Sequence, residues 1–237
     1  MSRLIQTDFD KLILYLKSYN LDKVISDPDF NNNAKCIHRK LYSVLMFNSE
    51  MESQNLFSSC DDTLKCYFKE IGSDLILAFF CWVNGAYKPA ELQLRSSIEN
   101  FIKALSYKEK PSIIATKNVF EVFDSAAQTT VFNNDICIKY LSELKFEYSS
   151  LCAFVHSSPQ KLAQNDALIT LPTYNAKNAT EFCSHYQKIL NNMLSILYYT
   201  YYDNIYKMHE ENRDLFLQGL LKSDKAKIYQ SKTELTI

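Results

Sequence analysis

The chain has 237 residues, of which 47% are hydrophobic, so it can bury a large core and is too apolar to be disordered. Its net charge of −1 argues against a strongly basic nucleic-acid coat or an acidic tail protein, although a local patch could still contact RNA or DNA. Only three glycines and five prolines leave few places for hairpins or phosphate-binding loops, which favours an all-α fold.

Helical spacing of apolar residues predicts a bundle of about seven helices in one domain, residues 1–221. Residues Asp27 to Asn33 are expected to separate the first helix from the second, and Asn84-Gly85 is expected to end a helix. A loose polar tail is expected over residues 222–237. The predicted helices are Leu4–Tyr19, Ala34–Asn48, Ser53–Val83, Pro89–Tyr107, Ile114–Ser125, a helix capped by Asn133-Asn134-Asp135 that ends at His156, and Thr180–Met208.

The seven cysteines are odd in number and have no framework spacing, which indicates free thiols in a reducing cytoplasm. The N-terminus lacks the apolar core of a signal peptide. The longest apolar run, Leu75 to Val83, is about half of what spans a bilayer. We therefore expect a soluble cytoplasmic protein without membrane contact.

The helix predicted from Pro89 to Tyr107 places charged residues among apolar ones. With Leu94 at zero on a helical wheel, Glu91 lies at about 60°, Arg95 at about 100° and Glu99 at about 140°. Their i, i+4 spacing allows Arg95 to pair with either carboxylate. Two interpretations stay open, a half-buried salt bridge that joins two helices and a polar pocket in which Arg95 binds an anion.

The helix that ends at His156 has Tyr148 at the centre of its buried stripe. On the same edge, His156 lies at about 80° and Ser149 at about 100° from Tyr148. The Tyr148 hydroxyl must find a partner or reach a rim. His156 is either a helix-terminal residue bonded to a nearby carbonyl or a functional imidazole.

Two other clusters bear on cofactors and partners. Cys36 and His38, like Cys183 and His185, are two positions apart, so on a helix they point away from each other, and no metal site or other cofactor is predicted. Tyrosines surround the segment Tyr198–Tyr206, which predicts a homo-oligomer or partner-protein interface on the C-terminal helix.

Two segments resemble a known family. Tyr87, Ala90, Arg95, Ser96 and Glu99 form a Tyr-x-x-Ala-x-x-x-x-Arg-Ser-x-x-Glu pattern, and Tyr148, Leu151, Val155 and His156 form a Tyr-x-x-Leu-x-x-x-Val-His pattern. Together they resemble the HEPN superfamily and abortive-infection proteins of bacteria, over about a third of the chain. The resemblance implies a HEPN-like helical core, often dimeric, and metal-independent ribonuclease activity in a defence or toxin system.

The chain departs from the HEPN ribonuclease motif, Arg-x(4–6)-His. That motif requires an arginine at positions 149 to 151, where this chain has Ser149, Ser150 and Leu151. If the site is catalytic, His156 would be the general acid/base, Arg95 would stabilise the phosphorane and Glu99 would orient Arg95, with Tyr148, Glu91 and Ser149 in binding roles. The alternative is a non-catalytic interaction module that senses or scaffolds a partner protein.

Overall fold

A computed structural model describes residues 2–17, 22–54, 62–155 and 174–234. All regular secondary structure in these residues is helical, with no strand among them. The α-helices are α1 (Arg3–Lys17), α2 (Asp22–Ile25), α3 (Pro28–Ser53), α4 (Asp62–Val83), α5 (Tyr87–Ser106), α6 (Val119–Ala126), α7 (Cys137–Val155), α8 (Ala176–Thr200), α9 (Tyr202–Tyr206), α10 (Glu210–Leu217) and α11 (Lys222–Glu234), with a 3₁₀ helix at Pro111–Ala115. The all-α prediction is confirmed, and the number of about seven is corrected because short helices join the long ones.

Local capping chemistry determines several helix ends. The Asp27 side chain accepts a hydrogen bond from the backbone N–H of Phe30 at 2.9 Å, and Pro28 occupies the first turn. The predicted break is therefore found at Asp27, but it does not extend to Asn33, because α3 begins at Pro28. The predicted stop after α4 is confirmed at Gly85, whose φ of 73° lets the N–H of Ala86 reach the carbonyl of Cys81.

Helix α8 is the central element of the bundle, because every residue from Ile189 to Tyr198 is buried. It packs against α3, α5, α7 and α11. The ring of Trp82 on α4 stacks on Phe30 at 4.9 Å, and its indole N–H donates to the carbonyl of Ala179 at 3.1 Å. The predicted single helix from Thr180 to Met208 is corrected, since α8 ends at Thr200 and the short α9 follows.

The predicted loose tail is largely the helix α11, which is docked on the bundle. Ile228 is buried, and the Lys232 ammonium lies 3.8 Å above the Tyr199 ring. The Asn191 amide donates to Asp224 at 2.8 Å. This segment carries one buried apolar side chain and is otherwise held by polar and aromatic contacts, so hydrophobic patterning could not predict its docking.

Candidate functional site

Arg95 on α5 and Tyr148 on α7 are in contact. The guanidinium carbon lies 4.9 Å from the centre of the Tyr148 ring, a cation–π distance. Burial raises the pKa of the Tyr148 hydroxyl, and the positive charge of Arg95 opposes this rise. The buried Arg95 Nε makes no hydrogen bond within the part of the chain that the structure describes.

The expected pairing of Arg95 with carboxylates of its own helix is wrong. Glu99 forms an ion pair with Lys103 Nζ at 2.7 Å, and the Arg95 guanidinium lies over the Tyr148 ring instead. Over the described ranges, no carboxylate lies within ion-pair distance of Arg95. Glu99 therefore orients Lys103 and does not orient Arg95.

Ser149, another predicted site residue, does not join this contact. Ser149 is exposed, and its hydroxyl donates to the Lys145 carbonyl at 2.9 Å. Helix α7 ends at Val155, and His156 lies outside the described residues. The expected approach of Arg95 and His156 therefore stays a prediction.

A pair of a half-buried histidine and a buried carboxylate lies beside this contact and was missed from the sequence. His185 Nδ1 on α8 donates to Glu147 Oε2 on α7 at 2.6 Å. Glu147 immediately precedes Tyr148, and its side chain is only 5% exposed. Glu91, which is one helical turn before Arg95 on α5, is also buried. Three helices thus bring two acids and one imidazole together.

The pKa of His185 is higher than the usual 6.5 of histidine. Burial alone would lower this pKa, but the hydrogen bond to Glu147 and the negative charges of Glu91 and Glu147 outweigh burial. Lys188 opposes the rise to a smaller extent. The site therefore favours the imidazolium more than water does.

Helical geometry explains why Glu147 was missed. The sequence placed the polar edge of α7 at about +80° to +100° from Tyr148, where His156 and Ser149 lie. Glu147 lies at about −100°, beyond Leu151 on the opposite edge. A signal existed, because Leu151 extends the apolar stripe toward Glu147. His185 was considered only as half of a Cys-x-His pair.

Glu147, the partner of His185, lines a surface groove of about 680 Å³ between α7 and α8. Lys188 Nζ lies 3.5 Å from Glu147 Oε1. An imidazole whose Nδ1–H is held by a carboxylate is fixed in one tautomer, so any proton transfer to a substrate uses Nε2. The groove is lined by Lys139, Ser142, Glu143, Phe146, Glu147, Lys188 and Asn192.

Two further observations concern metals and membranes. The described ranges contain no group of three or more His, Cys, Asp or Glu side chains arranged to hold a metal ion. Within the same ranges, none of the helices combines the length and the apolar character that crossing a membrane requires.

Neither a protein-family model nor a curated protein nor a solved structure matches the chain.

Proposed function

We propose that this chain is a HEPN-like helical bundle that binds and cleaves RNA without a metal ion, as a cytoplasmic component of a bacterial defence or toxin system. The observation that carries the activity is the His185–Glu147 pair at 2.6 Å, because the carboxylate partner, Glu147, lines an open groove. The family assignment rests on the sequence patterns around Arg95 and Tyr148.

The proposed reaction is transesterification at a ribose. His185 Nε2 accepts the proton of a 2′-hydroxyl, and the 2′-oxygen attacks the adjacent phosphorus. The bond from phosphorus to the 5′-oxygen breaks, and that oxygen takes a proton from water. The products are a 2′,3′-cyclic phosphate and a 5′-hydroxyl end. Glu147 stabilises the imidazolium, and the ammonium of Lys188 stabilises the charge on the phosphorane.

Cleavage of labelled single-stranded RNA in the presence of a chelator tests this proposal. We expect wild-type protein to release 2′,3′-cyclic phosphate ends, and His185→Asn to lower the rate by about 10²–10⁴-fold, the usual contribution of a general base. His209→Asn is the matched control, because His209 is exposed and lines a different surface pocket, beside Glu210 and Gln218. Circular dichroism verifies that each variant is folded.

His156→Ala separates the two candidate histidines. Loss of cleavage in this variant with full activity in His185→Asn would assign the proton transfer to His156 and overturn the role of His185. Loss in both variants would place both imidazoles in the reaction, as acid and base. RNA that stays intact with wild-type protein, or is cut with other end groups, contradicts the ribonuclease.

The alternative is a non-catalytic interaction module. It is favoured by Tyr206 and Tyr229, which are exposed by 38% and 51% at the edge of a tyrosine cluster. Tyr198 is buried, and its hydroxyl lies 3.1 Å from that of Tyr206. A homo-oligomer or partner interface would therefore use the outer tyrosines and not the whole Tyr198–Tyr206 segment.

A further inference from the structure

Asn192 on α8 is a buried side chain that faces the groove between α7 and α8. It is 2% exposed, lines the groove and makes no side-chain hydrogen bond to any of the residues that the structure describes. Buried amides are normally hydrogen-bonded, and neither amide atom of Asn192 is both fully buried and unpartnered, so both atoms keep contact with the groove. The Asn192 amide thus offers a donor and an acceptor to a ligand.

Phe146 on α7 presents the opposite chemistry to the same groove. Its side chain is 68% exposed, which is unusual for a large apolar ring in a chain with an extensive core. It is one helical turn from Ser142, which also lines the groove. An exposed aromatic ring beside a hydrogen-bonding amide suits a flat ligand with a polar edge.

The charges of the groove exclude a ligand recognised chiefly by its negative charge. Lys139 lies 3.5 Å from Glu143, and Lys188 lies 3.5 Å from Glu147, so each ammonium has a carboxylate neighbour. Two positive and two negative side chains balance. A nucleotide bound here would therefore be recognised mainly by its base and only secondarily by its phosphate.

We infer that this groove is a base-binding subsite for a single-stranded nucleotide and that it prefers adenine. An asparagine amide can bond the N6 amino group and N7 of adenine together, and Phe146 offers the ring on which the base stacks. A volume of about 680 Å³ lies within the range of small-molecule sites. This inference rests on the proposed function and names its substrate, because Glu147 of the His185–Glu147 pair lines the same groove.

Binding of 2′-O-methyl oligonucleotides, which 2′-hydroxyl attack cannot cleave, tests the subsite by calorimetry. We expect wild-type protein to bind a hexamer of adenylate about 10-fold more tightly than hexamers of uridylate or cytidylate. Phe146→Ala should weaken binding of all three by about 10-fold, since stacking tolerates any base. Asn192→Leu should remove the adenine preference and retain the stacking contribution.

Phe120→Ala is the matched control, because Phe120 is an exposed aromatic residue on α6 that does not line the groove. Phe146 is exposed, so Phe146→Ala should leave the core intact. This variant therefore still tests the subsite if Asn192→Leu fails to fold. Equal affinity for the three hexamers, no binding, or unchanged binding by Phe146→Ala overturns the subsite. If one of these results occurs and wild-type protein still cleaves RNA, only the subsite is refuted. Adenine-selective binding without cleavage refutes only the ribonuclease activity.

Discussion

At the level of single residues, helical geometry predicts burial better than it predicts partners. The wheel placed Glu91, Arg95 and Tyr148 on or beside buried stripes, and the structure brings Arg95 onto the Tyr148 ring. It could not predict that Glu147 would pair with His185, because that contact depends on how a third helix, α8, packs against both α5 and α7. The i, i+4 spacing also failed to predict the partner of Arg95, because its guanidinium packs on the Tyr148 ring of another helix.

The protonation of His185 couples pH to folding. Its pKa is raised in the folded state, so its contribution to the free energy of unfolding is fully present below the unfolded pKa of 6.5 and is lost as pH rises through the folded pKa. We therefore expect the stability difference between wild type and His185→Asn to be larger near pH 6 than near pH 8. Urea denaturation at both pH values measures it, with His209→Asn as the control. A difference that grows with pH would contradict the raised pKa.

At the level of helices, Gly72 on α4 and Gly219 in a turn occupy different environments. A Cβ on Gly72 would make ordinary contacts of 3.5 Å with Leu45 and 3.7 Å with Asn48. A Cβ on Gly219, in the turn between α10 and α11, would lie 2.7 Å from Ser43 Cβ and 2.9 Å from Leu194 Cδ1. The position of Gly72 inside a predicted helix is visible from the sequence, but the close packing of Gly219 depends on α3 and α8 and has no local signal.

Alanine substitutions at these positions should therefore change stability in opposite directions. We expect Gly72→Ala to raise the free energy of unfolding by about 0.5–1 kcal/mol, because alanine has the higher helix propensity and the space exists. Gly219→Ala should lower it by about 1–3 kcal/mol through overpacking. Urea denaturation followed by circular dichroism measures both. Equal effects of the same sign would show that the turn at Gly219 relaxes without cost.

At the level of the whole molecule, polar contacts join the C-terminal helices to the bundle. Lys40 on α3 is buried, and its ammonium donates to the Gly219 carbonyl at 2.9 Å and to Asn191 at 3.4 Å. Burial lowers the pKa of Lys40 from 10.5 to about 8. Asn191 in turn donates to Asp224 on α11. Such contacts bring the polar C-terminal segment into the fold, although amphipathic periodicity along the chain predicted only a tail there.

This docking also restricts where a second chain can bind. Tyr202 packs on Tyr206 at 4.8 Å and on Tyr229 of α11 at 6.5 Å, so intramolecular contacts already use much of the predicted tyrosine interface. The double variant Tyr206→Lys, Tyr229→Lys places two charges on the exposed remainder. If these rings join two copies, sedimentation at micromolar concentration should change from a dimer to a 27.6 kDa monomer with helicity retained. Leu14→Lys, at an exposed apolar position on α1, should leave the dimer intact. Wild-type protein that sediments as a monomer would show that tyrosine packing within one chain accounts for the cluster.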